Sequence, residues 1–315
     1  MNYAKIIGTG SYLPRKVLSN KDLEQLVETS DEWISSRTGI HSRRIASTHE
    51  TVTSMAEIAA QHALKMAQLE PNQIDLIIVA TCTPENFFPS TACLLQHRLK
   101  IPDCIAFDMS AACSGFVYAL ATAEQYIRSG AAKQALVVGS EIMSRVMDWK
   151  DRNTCVLFGD GAGAVLLTQA NEPGIIDSQL GASGTEKDLL TLPTGLYDDA
   201  AYVRMNGREV FKMAVEAMTN SVRHLVEENG LTVQDIDWII PHQANIRIIK
   251  AILTRLNFPM DRAIMTIHEQ GNTSGASIPL ALDQGIRDHR IQPGQHLLLE
   301  AFGGGFTWGG ILLKY

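Results

Sequence analysis

The sequence predicts an α/β chain built as two similar halves, each a sheet covered by helices. Two observations predict it. First, one unit occurs twice. An amphipathic helical pattern at 54–69 is followed by Pro71, Asn72, Gln73, Ile74, Asp75 and the apolar run Leu76, Ile77, Ile78, Val79. A second helical pattern at 209–229 is followed by Val233, Gln234, Asp235, Ile236, Asp237 and the run Trp238, Ile239, Ile240. Second, the interval between equivalent positions is kept: 162 residues from Ile74 to Ile236 and 161 from Leu136 to Leu297. A spacing held over four elements marks an internal duplication. Strands alternating with helices imply parallel sheets buried on both faces.

The elements follow in order. Tyr3, Ala4, Lys5, Ile6 and Ile7 read as a first strand, with Gly8-Thr9-Gly10 as a turn after it. Beyond the first repeat unit, the 97–102 stretch leads into a strand at Ile105, Ala106, Phe107, Asp108 and Met109. Small residues follow, then a helix marked by Phe116, Val117, Leu120, Ala123 and Ile127, then a buried strand at Ala135, Leu136, Val137 and Val138. Asn171-Glu172-Pro173-Gly174 marks a turn, so the halves divide as 1–172 and 173–315. The stretch 181–207 has no periodicity and reads as a surface excursion of functional length. In the second half a strand is expected at Ala263, Ile264, Met265, Thr266 and Ile267, and another at 296–300.

Composition bounds the function. At 315 residues, 45% hydrophobic and 19% charged, the chain can bury a large core and is not disordered. Lys plus Arg number 27 against 34 Asp plus Glu, a net charge of -7, which excludes a globally basic nucleic-acid binder but leaves room for a local basic patch. No apolar run approaches the ~20 residues of a membrane span, and the first residues lack the apolar core of a secretion signal. The five cysteines, Cys82, Cys93, Cys104, Cys113 and Cys155, form no C-x-x-C pair and read as reduced thiols of a cytoplasmic protein. Cys93, Cys104 and Cys155 read as structural. Cys93 and His97 are spaced for a metal, but no second pair completes a site, so no metal is expected. Gly159-Asp160-Gly161-Ala162-Gly163 lacks dinucleotide and P-loop spacing and reads as close packing at a tight turn.

In open α/β sheets, sites form beyond the carboxyl ends of strands. Cys113 follows the 105–109 strand and opens a helix, where free amides and the helix dipole lower a thiol's pKa. A buried structural cysteine is the competing reading. His242, in Pro241-His242-Gln243-Ala244-Asn245, follows a buried strand and suits a proton shuttle or hydrogen-bond donor, although a satisfied structural histidine fits the same position. Asn272 lies in the turn equivalent to that of Cys113 and carries a neutral amide donor; turn chemistry would also account for it. The duplication puts all three on one edge, which favours a joint catalytic role. Phe302-Gly303-Gly304-Gly305-Phe306 after the last strand pattern offers bare backbone N–H groups, or else marks a strand bulge.

At these residues the chain resembles the thiolase superfamily, most closely the β-ketoacyl-acyl-carrier-protein synthase III family. The resemblance spans essentially the whole chain. It runs through Asp31-Glu32-Trp33-Ile34-Ser35-Ser36-Arg37-Thr38-Gly39, Ala111-Ala112-Cys113-Ser114-Gly115, His242-Gln243-Ala244-Asn245, Gly271-Asn272-Thr273-Ser274 and Phe302-Gly303-Gly304-Gly305-Phe306-Thr307-Trp308-Gly309. It implies a duplicated thiolase-like fold with mixed sheets layered with helices (αβαβα). It implies decarboxylative condensation of an acyl-CoA primer, acetyl-CoA foremost, with malonyl-acyl-carrier protein through an acyl-cysteine on Cys113. His242 and Asn272 would stabilise the enolate, and the N–H groups of Cys113 and Gly304 would form the oxyanion hole. No cofactor is implied beyond the CoA thioester substrate.

The resemblance also implies CoA contacts at Trp33, Arg37, Arg152, Gly207, Phe211 and Asn245. The chain would be a homodimer in which Phe88 reaches the partner's acyl pocket, and pocket size would be set by side chains such as Phe88, Ile142 and Met205. Arg247, Lys250 and Arg255 on the helix after Asn245, with Lys212, would dock the acidic carrier. A synthase III-like acyltransferase of secondary metabolism with another acceptor would keep the same three residues, and a cysteine hydrolase is a more distant alternative.

Overall fold

The computed structural model describes residues 2–196 and 201–315. Two sheets divide the chain between Ala170 and Ile175. The first contains β1 (Tyr3–Tyr12), β2 (Leu76–Ala80), β3 (Ile105–Met109), β4 (Gln134–Ile142) and β5 (Asp160–Ala170), in the order β1-β5-β4-β2-β3. The second contains β6 (Ile175–Ala182), β7 (Trp238–Pro241), β8 (His296–Gly303) and β9 (Thr307–Lys314), in the order β7-β8-β9-β6. Read from opposite ends, the two orders repeat over four strands, and β3 has no counterpart in the second sheet.

The sheets are mixed, as the resemblance implies, whereas helix–strand alternation alone points to parallel ones. β2, β3 and β4 run parallel, as do β7 and β8; β5 is antiparallel to β1 and β4, and β9 to β6 and β8. Helix–strand alternation detects only strands joined by helical crossovers. β8 and β9 are joined by a turn of three residues, which permits only antiparallel pairing. A correction concerns 263–267. This segment makes one parallel bridge, Ile239 to Ala263, and enters a short helix at Ile267–Gln270. Its apolar residues reflect burial rather than ladder pairing.

Helices complete five layers. α1 (Asp31–Thr38) lies beside the fold, and α2 (Val52–Ala67) covers the outer face of the first sheet through Ile77, Val79, Leu136 and Val138. α3 (Gly115–Arg128) and α6 (Ser277–Arg287) fill the layer between the sheets, packing on Ile78, Val137 and Val165 from one and Leu297, Leu299 and Ile311 from the other. α4 (Gly207–Glu228) and α5 (Ile246–Leu256) cover the outer face of the second sheet through Ile239, Leu298 and Leu312. Alternate residues of each strand thus feed two different cores, so these strands are apolar without alternation.

Gly8 and Gly10 are not a turn but lie inside β1. A Cβ on Gly10 would stand 2.1 Å from Ala59 O, so the glycine lets β1 lie directly on α2. The Gly161 and Gly163 pair likewise lies within β5 rather than at a turn, packed against Leu280 and Pro279 of α6. All five cysteines are free; Cys155 is buried, but Cys93 is exposed, so it is no core residue. Among the described residues no helix is long and apolar enough to cross a membrane.

Candidate active site

The duplication builds the site. β3 runs into a 3-10 turn at Ala112–Ser114 and then α3; in the second half Ser274–Ala276 forms the equivalent turn ahead of α6. Ala112 and Ser274, 162 residues apart, both hold positive φ, +47° and +50°, although neither is glycine. Left-handed backbone costs an ordinary residue about 1–2 kcal/mol, and such residues gather at functional turns. The turns touch: a Cβ on Gly275 would stand 3.5 Å from Ala112 O. Cys113 occupies the first turn and Asn272 precedes the second.

Each polar side chain is held from behind. Asn272 makes an isolated bridge with Phe158, donating its N–H to Leu157 O at 2.8 Å. Its Oδ1 accepts the Ser274 N–H at 2.8 Å, which assigns its NH2 to the cavity side. His242 leaves β7 with its N–H on Glu300 O at 2.7 Å, and its Nδ1 pairs with Ser277 Oγ at 2.6 Å. When the Ser277 hydroxyl donates to Nδ1, Nε2–H is presented to the cavity. Cys113, His242, Asn272 and Gly304 line one cavity, whose remaining wall is mostly apolar and includes Leu190, Val203, Met205, Phe211, Ala214 and Ile248.

Burial sets the protonation states. It pushes the Cys113 thiol up to about 11, with the nearby Glu141 carboxylate acting in the same direction. This overturns the expectation of a thiol acidified at a helix N-terminus. Cys113 sits in the 3-10 turn just ahead of α3, in a mostly apolar pocket beside a carboxylate, and burial and that charge win. Burial holds His242 down at about 3, so its imidazole is neutral at any working pH. The resting pair is a thiol beside a neutral imidazole.

The glycine run at 303–305 reads in the sequence as a source of bare N–H groups, with the oxyanion role given to Gly304 and no packing role to Gly303. A Cβ there would stand 2.7 Å from Cys113 N and 3.0 Å from Ser114 N, both backbone atoms. Only glycine lets the end of β8 close against the Cys113 turn and bring Gly304 to the cavity.

Trp33, Arg37 and Arg152 form one cluster. Ser30 caps α1 by accepting the Trp33 N–H at 3.1 Å, and the helix ends at Gly39 with φ of 77°. The guanidinium carbons of Arg37 and Arg152 lie 5.6 and 4.8 Å from the Trp33 ring centre. Trp33 does not line the cavity itself but packs on the cluster holding Leu157 and Val203, which do. Gly207, Phe211 and Asn245 line it directly. Asn245 also caps α5, accepting the Arg247 N–H at 2.8 Å.

Of the expected pocket residues, Met205 lines the cavity and Ile142 does not; Met143 does. Along β4, Glu141 faces the site, Ile142 turns into the core under α2, and the 3-10 turn beginning at Met143 brings the next side chain back. Phe88 is 87% exposed and lines no part of this chain's cavity. Arg247, Lys250 and Arg255 are all exposed along α5, and Lys212 is held by Glu209 at 3.0 Å. Among the described residues no group of three or more His, Cys, Asp or Glu side chains is placed to hold a metal ion.

Residues 107–184 match the family described as 3-oxoacyl-[acyl-carrier-protein] synthase III, and 226–315 match the C-terminal part of the same synthase. The chain is 55% identical over 318 residues to the β-ketoacyl-[acyl-carrier-protein] synthase III of Methylococcus capsulatus, covering 99% of each. It superposes on the 3-oxoacyl-[acyl-carrier-protein] synthase III of Aquifex aeolicus with a TM-score of 0.96 at 50% identity, covering 99% of this chain and 100% of the other. The priming β-ketosynthase of the R1128 polyketide pathway gives 0.95 at 37% identity, covering 99% and 96%.

Fold and relatives together define a thiolase-like condensing acyltransferase. Within that class, the chain belongs to the 3-oxoacyl-[acyl-carrier-protein] synthase III family.

Proposed function

We propose that this protein joins an acyl group from a CoA thioester, acetyl-CoA foremost, to malonyl-acyl-carrier protein, releasing CO2 and CoA, and so begins fatty-acid synthesis. The observation that carries this reading is the meeting of Cys113, His242, Asn272 and Gly304 on one buried, largely apolar cavity. Cys113 sulfur attacks the thioester carbon, the C–S bond to CoA breaks, and the thiol proton ends on the departing CoA sulfur. The backbone N–H groups of Cys113 and Gly304 receive the oxyanion. Malonyl thioester then enters. His242 Nε2–H and Asn272 NH2 donate to its carbonyl oxygen, the carboxylate leaves as CO2, the enolate carbon attacks the acyl carbon, and the C–S bond to Cys113 breaks, releasing the 3-oxoacyl-carrier protein and a thiolate that takes up a proton from solvent. A histidine of such low basicity stays a neutral donor and does not protonate the enolate carbon. The thioester substrates carry this chemistry without a metal or redox cofactor.

Trp33, flanked by Arg37 and Arg152, suits the adenine and phosphates of CoA, and Gly207, Phe211 and Asn245 suit its pantetheine arm. Phe87 and Phe88, at 69% and 87% exposure, suit burial against a second copy of the chain, where Phe88 of the partner subunit would close the acyl pocket with Met143 and Met205. Incubation with acetyl-CoA and malonyl-carrier protein tests the function: mass spectrometry of the carrier should show malonyl replaced by 3-oxobutanoyl. A carrier that returns only unchanged or decarboxylated would refute it.

Gly303→Ala is expected to lower the rate of acyl transfer by about 10²–10³-fold with the fold retained, because the added Cβ must push the Cys113 amide out of the oxyanion hole. Steady-state kinetics beside circular dichroism checks this. Arg247 stands in the first turn of α5, next to the cavity residue Asn245, whereas Arg255 lies at the far end of the helix. Arg247→Glu is accordingly expected to raise KM for the carrier-bound substrate about tenfold while acyl-CoA loading is unchanged. Unchanged carrier kinetics would remove this patch.

A further inference from the structure

A carboxylate lies under the nucleophile that no step above uses. Glu141, next to last in β4, is fully buried. The residues just after β2 surround it with donors. The Cys82 N–H reaches both its oxygens, at 3.2 and 3.1 Å, and Cys82 Sγ lies 3.2 Å from Oε1. Thr81 and Thr83 Oγ1 lie 3.2 and 2.6 Å from Oε2. The direction of both hydroxyl bonds follows from their other partners. Thr81 Oγ1 accepts the Thr83 N–H at 3.1 Å and Thr83 Oγ1 accepts the Ile142 N–H at 3.0 Å, which leaves each hydroxyl hydrogen for the carboxylate. Such a ring of donors suits an ionised group, and it opposes the burial that pushes Glu141 above the usual carboxylate range.

Ser274 closes the ring from the second half of the chain. Its backbone is left-handed, its Oγ lies 3.7 Å from Cys82 Sγ, and its hydroxyl lowers the pKa of both Glu141 and Cys113 as a hydrogen-bonding partner. The adjoining Gly275 brings the turn close: a Cβ there would stand 3.4 Å from Glu141 Oε1. One hydroxyl has one hydrogen. It can serve the carboxylate or the Cys113 sulfur, not both at once.

We propose that Glu141 and Ser274 are positioning residues for the nucleophile: the carboxylate holds the Ser274 hydroxyl while Cys113 is a thiol, and the hydroxyl turns to the sulfur once a thiolate forms. The negative carboxylate opposes a resting thiolate, and the rotated hydroxyl stabilises the one that attacks. The other titratable groups facing Cys113 are Cys82, which burial keeps as a thiol, and His242, which burial keeps neutral. Glu141 is thus the charge that sets the local field. The proposal rests on Cys113 as nucleophile, and its test involves no acyl chemistry.

The test is alkylation of Cys113 by iodoacetamide, followed by peptide mass spectrometry through the neutral and alkaline range. Glu141→Gln removes the charge and is expected to move the thiol's titration down by about one pH unit, raising alkylation at neutral pH about tenfold. Ser274→Ala removes the donor and is expected to move it up by about one unit, slowing alkylation about tenfold. Opposite shifts support the pair. Variants that lose melting temperature but keep the wild-type titration midpoint would overturn it. If Glu141→Gln does not fold, Ser274→Ala alone decides, by the presence or absence of its upward shift. Loss of acyl transfer from acyl-CoA with both shifts intact would sink the proposed function and leave this pair standing.

Discussion

Cys113→Ala is expected to abolish condensation, by about 10⁴–10⁶-fold on the scale of nucleophile deletions in covalent enzymes. The residue does three things at once. In the proposed reaction its sulfur carries the acyl group and its own N–H belongs to the oxyanion hole, and its turn packs on the equivalent turn at Ser274. Alanine removes the first and keeps the other two. The fold should therefore survive, and so should the site for malonyl thioester. The variant is expected to release CO2 from malonyl-carrier protein through His242 and Asn272 while forming no acyl enzyme. Residual condensation within tenfold of wild type would assign the nucleophile elsewhere, and Cys82, lining the same cavity, would be the candidate.

The second large effect separates the two half-reactions. His242→Ala and Asn272→Ala each remove one donor to the enolate oxygen, and each is expected to slow decarboxylation by about 10²–10³-fold. Loading of Cys113 should suffer far less in Asn272→Ala, because Asn272 enters only when malonyl thioester binds. Burst-phase CoA release reports loading, and labelled CO2 reports decarboxylation. Equal losses in both steps for Asn272→Ala would contradict its assignment. The neutral state of His242 has a further consequence. Folding depresses its pKa from the ordinary 6.5 to about 3, so the unfolded chain takes up the proton first as pH falls. The stability linked to this burial is present in full above about pH 6.5 and is lost progressively below it.

Much of the site was legible because duplication is a sequence property. Two copies of one unit predict where strand ends converge, and Cys113, His242 and Asn272 are the chemically distinctive residues at those ends. Trp33, Arg37 and Arg152 were legible through resemblance and meet in space as a stacked cluster. What was missed depends on properties that a linear pattern does not carry. Gly303 matters for the atom it lacks, and only the approach of β8 to the Cys113 turn reveals this. Glu141 stood within an apolar strand as one charged letter; its ring of donors comes from residues 58 to 60 positions away. Ile142 and Met143 were exchanged because a strand's facing flips with each residue and the strand ends there. The shared left-handed turns at Ala112 and Ser274 were in principle within reach, since the 162-residue interval pairs them; what hid them was that neither is a glycine. β5 and β9, the antiparallel strands inside each sheet, escaped because they have no helix before them.

The central claim is that an acyl group passes through Cys113. It is tested most directly by mixing the protein with acyl-CoA alone, digesting, and mapping the added mass, then repeating after a pulse of malonyl-carrier protein. The acyl mass is expected on the peptide carrying Cys113, to vanish on addition of malonyl-carrier protein in the wild-type protein, and to persist in Asn272→Ala. An acyl group found on Cys82, no adduct with any primer, or an adduct that malonyl-carrier protein does not discharge from the wild-type protein would contradict it.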